Sequence, residues 1–183
     1  MANTTNDFIQ KLEQRYKDIV SNKPLGIAVA AVHEKMVKRI FEDGKNGNDG
    51  KIGAYDTSEP LYVSPNKSPK SFPVKGKTGK TKYKNGKPHK TGYFTSYKAF
   101  RQKIGREVSF VNLSLFGQLK RDFSNSLQRV NNNKWISGTK NNKNSDKVDG
   151  AVDRYGREVF QLTKDEKKLL LGIIKIERIK IGL

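Results

Sequence analysis

Gly79-Lys80-Thr81, within the stretch VKGKTGKTKY (residues 74–83), is the one tripeptide in the chain that suggests catalysis on a nucleotide. A phosphate-binding loop needs a glycine, four further residues and then Gly-Lys-Ser/Thr, so that backbone N–H groups wrap the phosphate. The first glycine would have to stand at position 74, which is Val74. Such a loop also follows a buried strand and opens a helix, whereas SPNKSPKSFP precedes this stretch and KYKNGKPHK follows it. The first is too rich in proline for a buried strand, and the second reads as a turn. Other chemistry is equally short of parts. The chain has no cysteine and two histidines, His33 and His89, far apart in sequence, with no Ser/His/Asp grouping. His33 lies among apolar helical positions without companions at ligand spacing and reads as structural. DGKNGNDG (43–50) lacks the alternating oxygen ligands and terminal glutamate of a calcium loop. Glu13, Glu42, Asp165 and Glu166 lie beside lysines in helical patterns and read as surface residues. No catalytic, cofactor-binding or metal-ligating residue is assigned, and the expectation is a protein that is not an enzyme.

What the chain has in quantity is positive charge. Its 183 residues carry 37 Lys and Arg against 18 Asp and Glu, a net +19. Such a chain repels itself and is best tolerated beside polyanions or acidic surfaces. The charge is uneven: between Glu59 and Glu107 there is no acidic residue, and thirteen Lys or Arg lie there. Lys67, Lys70, Lys75, Lys77, Lys80, Lys82, Lys84, Lys87 and Lys90 are the candidate contacts to a partner or to DNA. Tyr83, Tyr93 and Phe94 interleave with them, as rings that stack on bases or anchor the segment on protein. The hydrophobic fraction of 34% and a mean hydropathy of −0.78 are low for a compact domain of this length, which predicts that part of the chain is extended. No apolar run approaches the roughly 20 residues of a membrane span, and MANTTNDFIQ has no signal-peptide pattern. Together with the lack of cysteine, this predicts a soluble protein of a reducing compartment.

The elements that must position these residues follow from periodicity and punctuation. Thr4 to Asp7 offer caps for a helix with Phe8, Leu12, Tyr16 and Ile19 on one stripe. Pro24 suits the first turn of a second helix, carrying Leu25, Val29, Val32, Met36 and Ile40 and closed by Gly44. A short strand is expected at Pro60–Val63, and Asn85-Gly86 predicts a hairpin turn between lysine-rich strands. Thr95-Ser96 can cap a short helix ended by Gly105, and Leu115, Leu119 and Phe123 fit one face of the next. Two short strands are expected around Asn131-Asn132-Asn133, with Val130, Trp135 and Ile136 turned inward. Asn144 or Ser145 is the expected cap of a helix ended by Gly156, and EVFQL (158–162) is strand-like. Thr163 to Glu166 form a capping box before a last helix. Its Leu169, Leu170, Ile173, Ile174, Ile176 and Ile179 cover more than one face, which predicts burial on both sides or contact with another subunit. The fold class expected is α+β: N-terminal helices and a C-terminal helix packed on a small antiparallel sheet, with a long extended basic arm or hairpin. The division expected is 1–59 (helices and a turn-rich loop), 60–94 (the basic arm) and 95–183 (an α+β core).

Two stretches carry a resemblance. In FVNLSLFGQLKRDFSNSL (110–127), Gly117, Leu119, Lys120 and Phe123 fit a pattern of an apolar stretch leading to Thr-Gly-x-Leu-Arg/Lys, with Phe116 in place of the threonine. In DGAVDRYGREVFQLTKDEKKLLLGII (149–174), Tyr155 and Gly156 form the corner after a helix and before the C-terminal helix. The chain thereby resembles the neck and tail-completion (virion morphogenesis) proteins of tailed bacteriophages, over roughly its last 75 residues and more loosely its second helix. The basic insertion at 60–94 departs from the simplest members and is similar to an elaborated arm, as in crAss-like short-tailed phages.

The resemblance implies a structural virion protein, made in the host bacterial cytoplasm. Copies would form a ring in the neck or tail that joins the portal to the tail and extends the DNA channel. Implied partners are copies of itself (twelve, or six in a tail-terminator ring), the portal, other neck and tail proteins, and packaged DNA through nonspecific phosphate contact; no membrane and no cofactor. Twelve chains at +19 each cannot pack closely unless DNA or acidic neighbours neutralise them. The alternative expectation is a sequence-nonspecific nucleic-acid-binding protein. It lacks any named recognition motif, and Arg, favoured for base reading, is scarce beside Lys.

Overall fold

The computed structural model describes residues 3–63, 78–82, 88–114 and 117–182. The fold is α+β, and the chain divides into two compact units: one formed by residues 1–52 and 112–183, the other by 53–111. The boundaries therefore fall at 52/53 and 111/112, where the sequence-based division had 59/60 and 94/95.

In the first unit, α1 (Asn3–Val20) and α2 (Lys23–Phe41) meet at Asn22. This residue adopts a left-handed conformation (φ 49°), which asparagine tolerates better than most side chains, and Pro24 follows in the first turn of α2. α1 begins at Asn3, so Thr4 to Asp7 lie within its first turns rather than ahead of it. α2 ends at Phe41, before Gly44, because the chain must turn there into the 44–52 loop, where Ile52 N–H bonds to the Gly44 carbonyl. α4 (Gln118–Ser124) leads to the antiparallel pair β4 (Gln128–Asn131) and β5 (Lys134–Ile136), then α5 (Asn142–Tyr155), a 3₁₀ turn (Arg157–Phe160) and α6 (Lys164–Lys180).

The helices pack principally on one another, α2 against α6, and the hairpin lies beside them rather than beneath them as a platform. The core is Ala28, Val32, Met36, Ile40 and Phe41 of α2 with Leu119, Phe123, Ala151 and Val159. Val130 and Ile136, expected inward, are about half exposed (52% and 48%), and Trp135 is half-buried with its indole against Gly26. A two-stranded ribbon offers no second layer, so its orientation is set by polar contacts at its tip. There Arg129 donates to the Ser21 carbonyl at 2.7 Å, and Asn22 Nδ2 donates to Asn133 Oδ1 at 2.8 Å.

Two local expectations are corrected. EVFQL is not a strand: Arg157–Phe160 turn in a 3₁₀ helix, which buries Val159 completely. The cap of α5 is Asn141, whose Oδ1 accepts from Lys143 N–H at 2.9 Å. Asn144 is instead buried, and its Nδ2 donates to Asp122 Oδ2 at 3.1 Å.

Glu166, read as a surface carboxylate, is 1% exposed. Its Oε1 accepts from Arg39 Nε at 2.9 Å and its Oε2 from Thr163 N–H at 2.8 Å, closing the capping box of α6. The rest of the Arg39 guanidinium donates to the carbonyls of Lys45 (2.9 Å) and Gln161 (2.8 Å) and, more distantly, Val159. One buried cation thus fastens α2 to the 44–52 loop, the 3₁₀ turn and α6. Gly47 lets that loop close in: its N–H donates to Glu158 O at 2.7 Å, and a Cβ there would stand 2.8 Å from two carbonyl oxygens.

The second unit holds a three-stranded antiparallel sheet in the order β1 (Leu61–Val63), β3 (Pro88–Phe94), β2 (Thr78–Lys82), followed by α3 (Tyr97–Lys103). Ser96 caps α3 by accepting from Ala99 N–H at 3.1 Å. Tyr55, Phe94 and Phe100 form its aromatic core. Arg101, 1% exposed, lies with its guanidinium carbon 4.2 Å above the Tyr55 ring and donates to the Glu107 carbonyl at 3.0 Å. A delocalised cation is accommodated in this way where an ammonium would not be.

Two predictions follow from the packing of the first unit. Glu166→Ala strands the Arg39 guanidinium and should lower unfolding free energy by about 3–5 kcal/mol, whereas Arg39→Met with Glu166→Leu should recover most of the loss. Urea titration of the three variants checks both statements. Asp122 accepts from Asn144 Nδ2 and from the N–H groups of Asn141 and Lys140, and these bonds, Asn144 foremost, hold its carboxyl below the usual aspartate range. Its folded-state pKa is depressed, so its contribution is present above the unfolded value of about 3.9 and lost as pH falls through the folded value. Asp122→Asn should therefore melt below wild type at neutral pH, and the gap should close on acidification.

Candidate functional site

The sequence-assigned contacts divide into basic positions and motif positions. Lys67, Lys70, Lys75, Lys77, Lys84 and Lys87 lie outside the described residues, as do Leu115, Phe116 and the Asn85-Gly86 turn. Lys80 and Lys82 are in β2 and Lys90 is in β3. The two strands are antiparallel, with Lys80 directly opposite Lys90 and Lys82 opposite Pro88. Successive positions of a strand alternate between faces, so positions 80, 82 and 90 share one face of the sheet. Like charges placed directly opposite destabilise a pair of strands. The arrangement is therefore unfavourable for the isolated fold and favourable beside an anion. β2 is also an edge strand, where lysines discourage pairing with a foreign strand.

The motif positions are structural. Gly117 (φ 73°) opens α4 and Gly156 (φ 88°) closes α5, each in a conformation that favours glycine. Leu119 and Phe123 are buried, Phe123 stacking on the His33 ring at 5.4 Å. Lys120 Nζ contacts Glu42 Oε1 at 2.7 Å and holds that carboxyl below its usual range in an exposed pair. Tyr155 is half-buried at the end of α5. These residues join α4 and α5 to α2 and do not converge on a reactive centre. Among the described residues no three of His, Asp and Glu come together as a metal site.

Sequence reasoning missed an open apolar cleft of about 550 Å³ in the first unit. Leu25 and Val29 of α2, Trp135 of β5, Val148 and Val152 of α5 and Leu170 of α6 form its walls. His33 lines it too, with Nδ1 3.0 Å from Ser137 Oγ. The helical periodicity of Val148 and Val152 was the only signal available, and their opposing walls come from distant parts of the chain.

No protein family, no curated protein and no solved structure matches the chain. Among the described residues no helix is long and apolar enough to cross a membrane.

The lysine register gives a measurable expectation. Lys80→Gln and Lys90→Gln should each lower the slope of log affinity against log salt by about 1 for duplex DNA of any sequence. The same changes should stabilise the second unit slightly, since they remove a like-charge pair. Fluorescence anisotropy across a salt series and thermal melts read the two effects, which have opposite signs.

Proposed function

We propose that this chain is a structural virion protein that forms a ring in the neck or tail of a tailed bacteriophage, joins portal to tail and extends the DNA channel. The segment 60–94 is its basic extended arm or hairpin. The observation that carries the reading is the placement of Lys80 opposite Lys90 within an interval free of acidic residues. A surface that works against its own sheet is useful where a polyanion passes close by, and DNA phosphates supply that charge without regard to sequence. The resemblance of the 110–127 and 149–174 stretches to neck proteins supplies the ring. Ring contacts are heterologous, so each copy needs two different complementary surfaces. Twelve copies would match a portal; six would match a tail terminator.

The charge serves equally well a free protein that binds nucleic acid without sequence preference, and the place of the protein in the cell separates the two. Deleting residues 67–90 should leave the helical signal in circular dichroism intact and abolish incorporation into virions. A deleted protein that still enters particles at normal occupancy would make the arm a bystander. Absence of the intact protein from purified particles would overturn the neck reading in favour of the free binder.

A further inference from the structure

α1 presents Ile9, Leu12, Tyr16 and Ile19 at spacings of three, four and three, the seam of a helix that packs on something else. All four are between 42% and 69% exposed. Within its own chain the helix is fixed away from the cleft: Arg15 Nε donates to the Ile181 carbonyl at 3.0 Å, at the C-terminal end of α6. Leu170, which walls the cleft, lies in the N-terminal half of that helix.

The cleft offers carbon. Asn133 Oδ1 is engaged by Asn22, and the Ser137 hydroxyl by His33. His33 Nε2 and Trp135 Nε1 have no hydrogen-bond partner but are fully buried, so neither reaches the cleft surface. Small-molecule sites are fixed by a few well-placed polar groups, which this lining does not provide. An amphipathic helix laid into an apolar groove needs none.

Charge selects which helix. Asp146, Asp149 and Asp153 are exposed on α5 at spacings of three and four, beside the cleft-lining Val148 and Val152. On a chain of net +19, this acidic margin favours a basic visitor, and another copy is one. α1 itself is electroneutral, with Asp7, Glu13 and Asp18 against Lys11, Arg15 and Lys17. It therefore enters without adding to the repulsion between copies, and Lys11 and Lys17 flank its apolar row.

We infer that α1 of one copy docks in the cleft of the next, between α2, β5, α5 and α6. The contact is heterologous, since the helix and the cleft are different surfaces of one unit, and it rests on the ring reading for its geometry.

The chain has no cysteine, so single-cysteine variants report the contact directly. Leu12→Cys and Val148→Cys proteins are mixed, with short duplex DNA to neutralise charge, and treated with a short bis-maleimide. The expected product joins one chain of each kind, and Tyr16→Asp in the first chain cuts its yield about tenfold, the loss of one central anchor. Tyr16 is exposed, so that variant keeps its fold. A product joining two Leu12→Cys chains alone would assign α1 to a closed pair and overturn the inference, as would no product of either kind. Native mass spectrometry separates this from the ring. Mixed cross-links in open chains sink the ring and leave the contact standing. Closed rings without the mixed product sink the contact and leave the ring.

Discussion

The first unit is organised around a positive charge that cannot reach water. Arg39 and Glu166 are 127 residues apart in sequence and meet at 2.9 Å with almost no exposure. An ion pair so buried adds little net stability over well-packed carbon, because desolvation opposes the attraction. Its effect is on specificity. The guanidinium has donors in fixed directions, and the carbonyls of Lys45 and Gln161 must come to them. α2, the 44–52 loop, the 3₁₀ turn and the start of α6 consequently have one mutual arrangement in which this group is satisfied. Close approach at Gly47 is part of that arrangement.

The second unit handles a buried cation differently. Arg101 lies over Tyr55 and bonds the Glu107 carbonyl, so its charge is met by ring and backbone in a small aromatic core. The two units share a strategy, with arginine as an internal clamp, while lysine is placed outward at Lys120 and opposed across strands at Lys80 and Lys90. Arginine organises the interior because its donors are directional. Lysine supplies bulk charge because its ammonium is compact and well hydrated.

What the sequence disclosed was local. Ser96 and the Thr163–Glu166 box were legible as caps, and the Asn-rich turn between β4 and β5 as a hairpin, since each is decided within a few residues. The position of Pro24 and the stops at Gly105 and Gly156 belong with them. What stayed hidden was decided at a distance. Glu166 looked solvent-facing because Asp165, Lys167 and Lys168 around it are exposed. Residues 157–160 had β-forming side chains, but Val159 fills the core and the backbone turns to place it. Asn144 had the chemistry of a cap and was drawn inward by Asp122. Of the candidate contacts, the facing of Lys80 and Lys90 depends on register, which composition does not contain.

The first unit is written in two instalments, residues 1–52 and 112–183, with the second unit between them. On the ribosome α2 emerges long before the helix it packs against. At roughly 5–20 residues per second, Arg39 waits about 6–25 s for Glu166 to be made. During that interval its charge is solvated, and Val32, Met36 and Ile40 have no α6 to cover them. The contiguous residues 53–111 are complete well before then. The nascent chain therefore spends its synthesis with one half of a core exposed, a period in which chaperones rather than sequence determine whether α2 stays soluble.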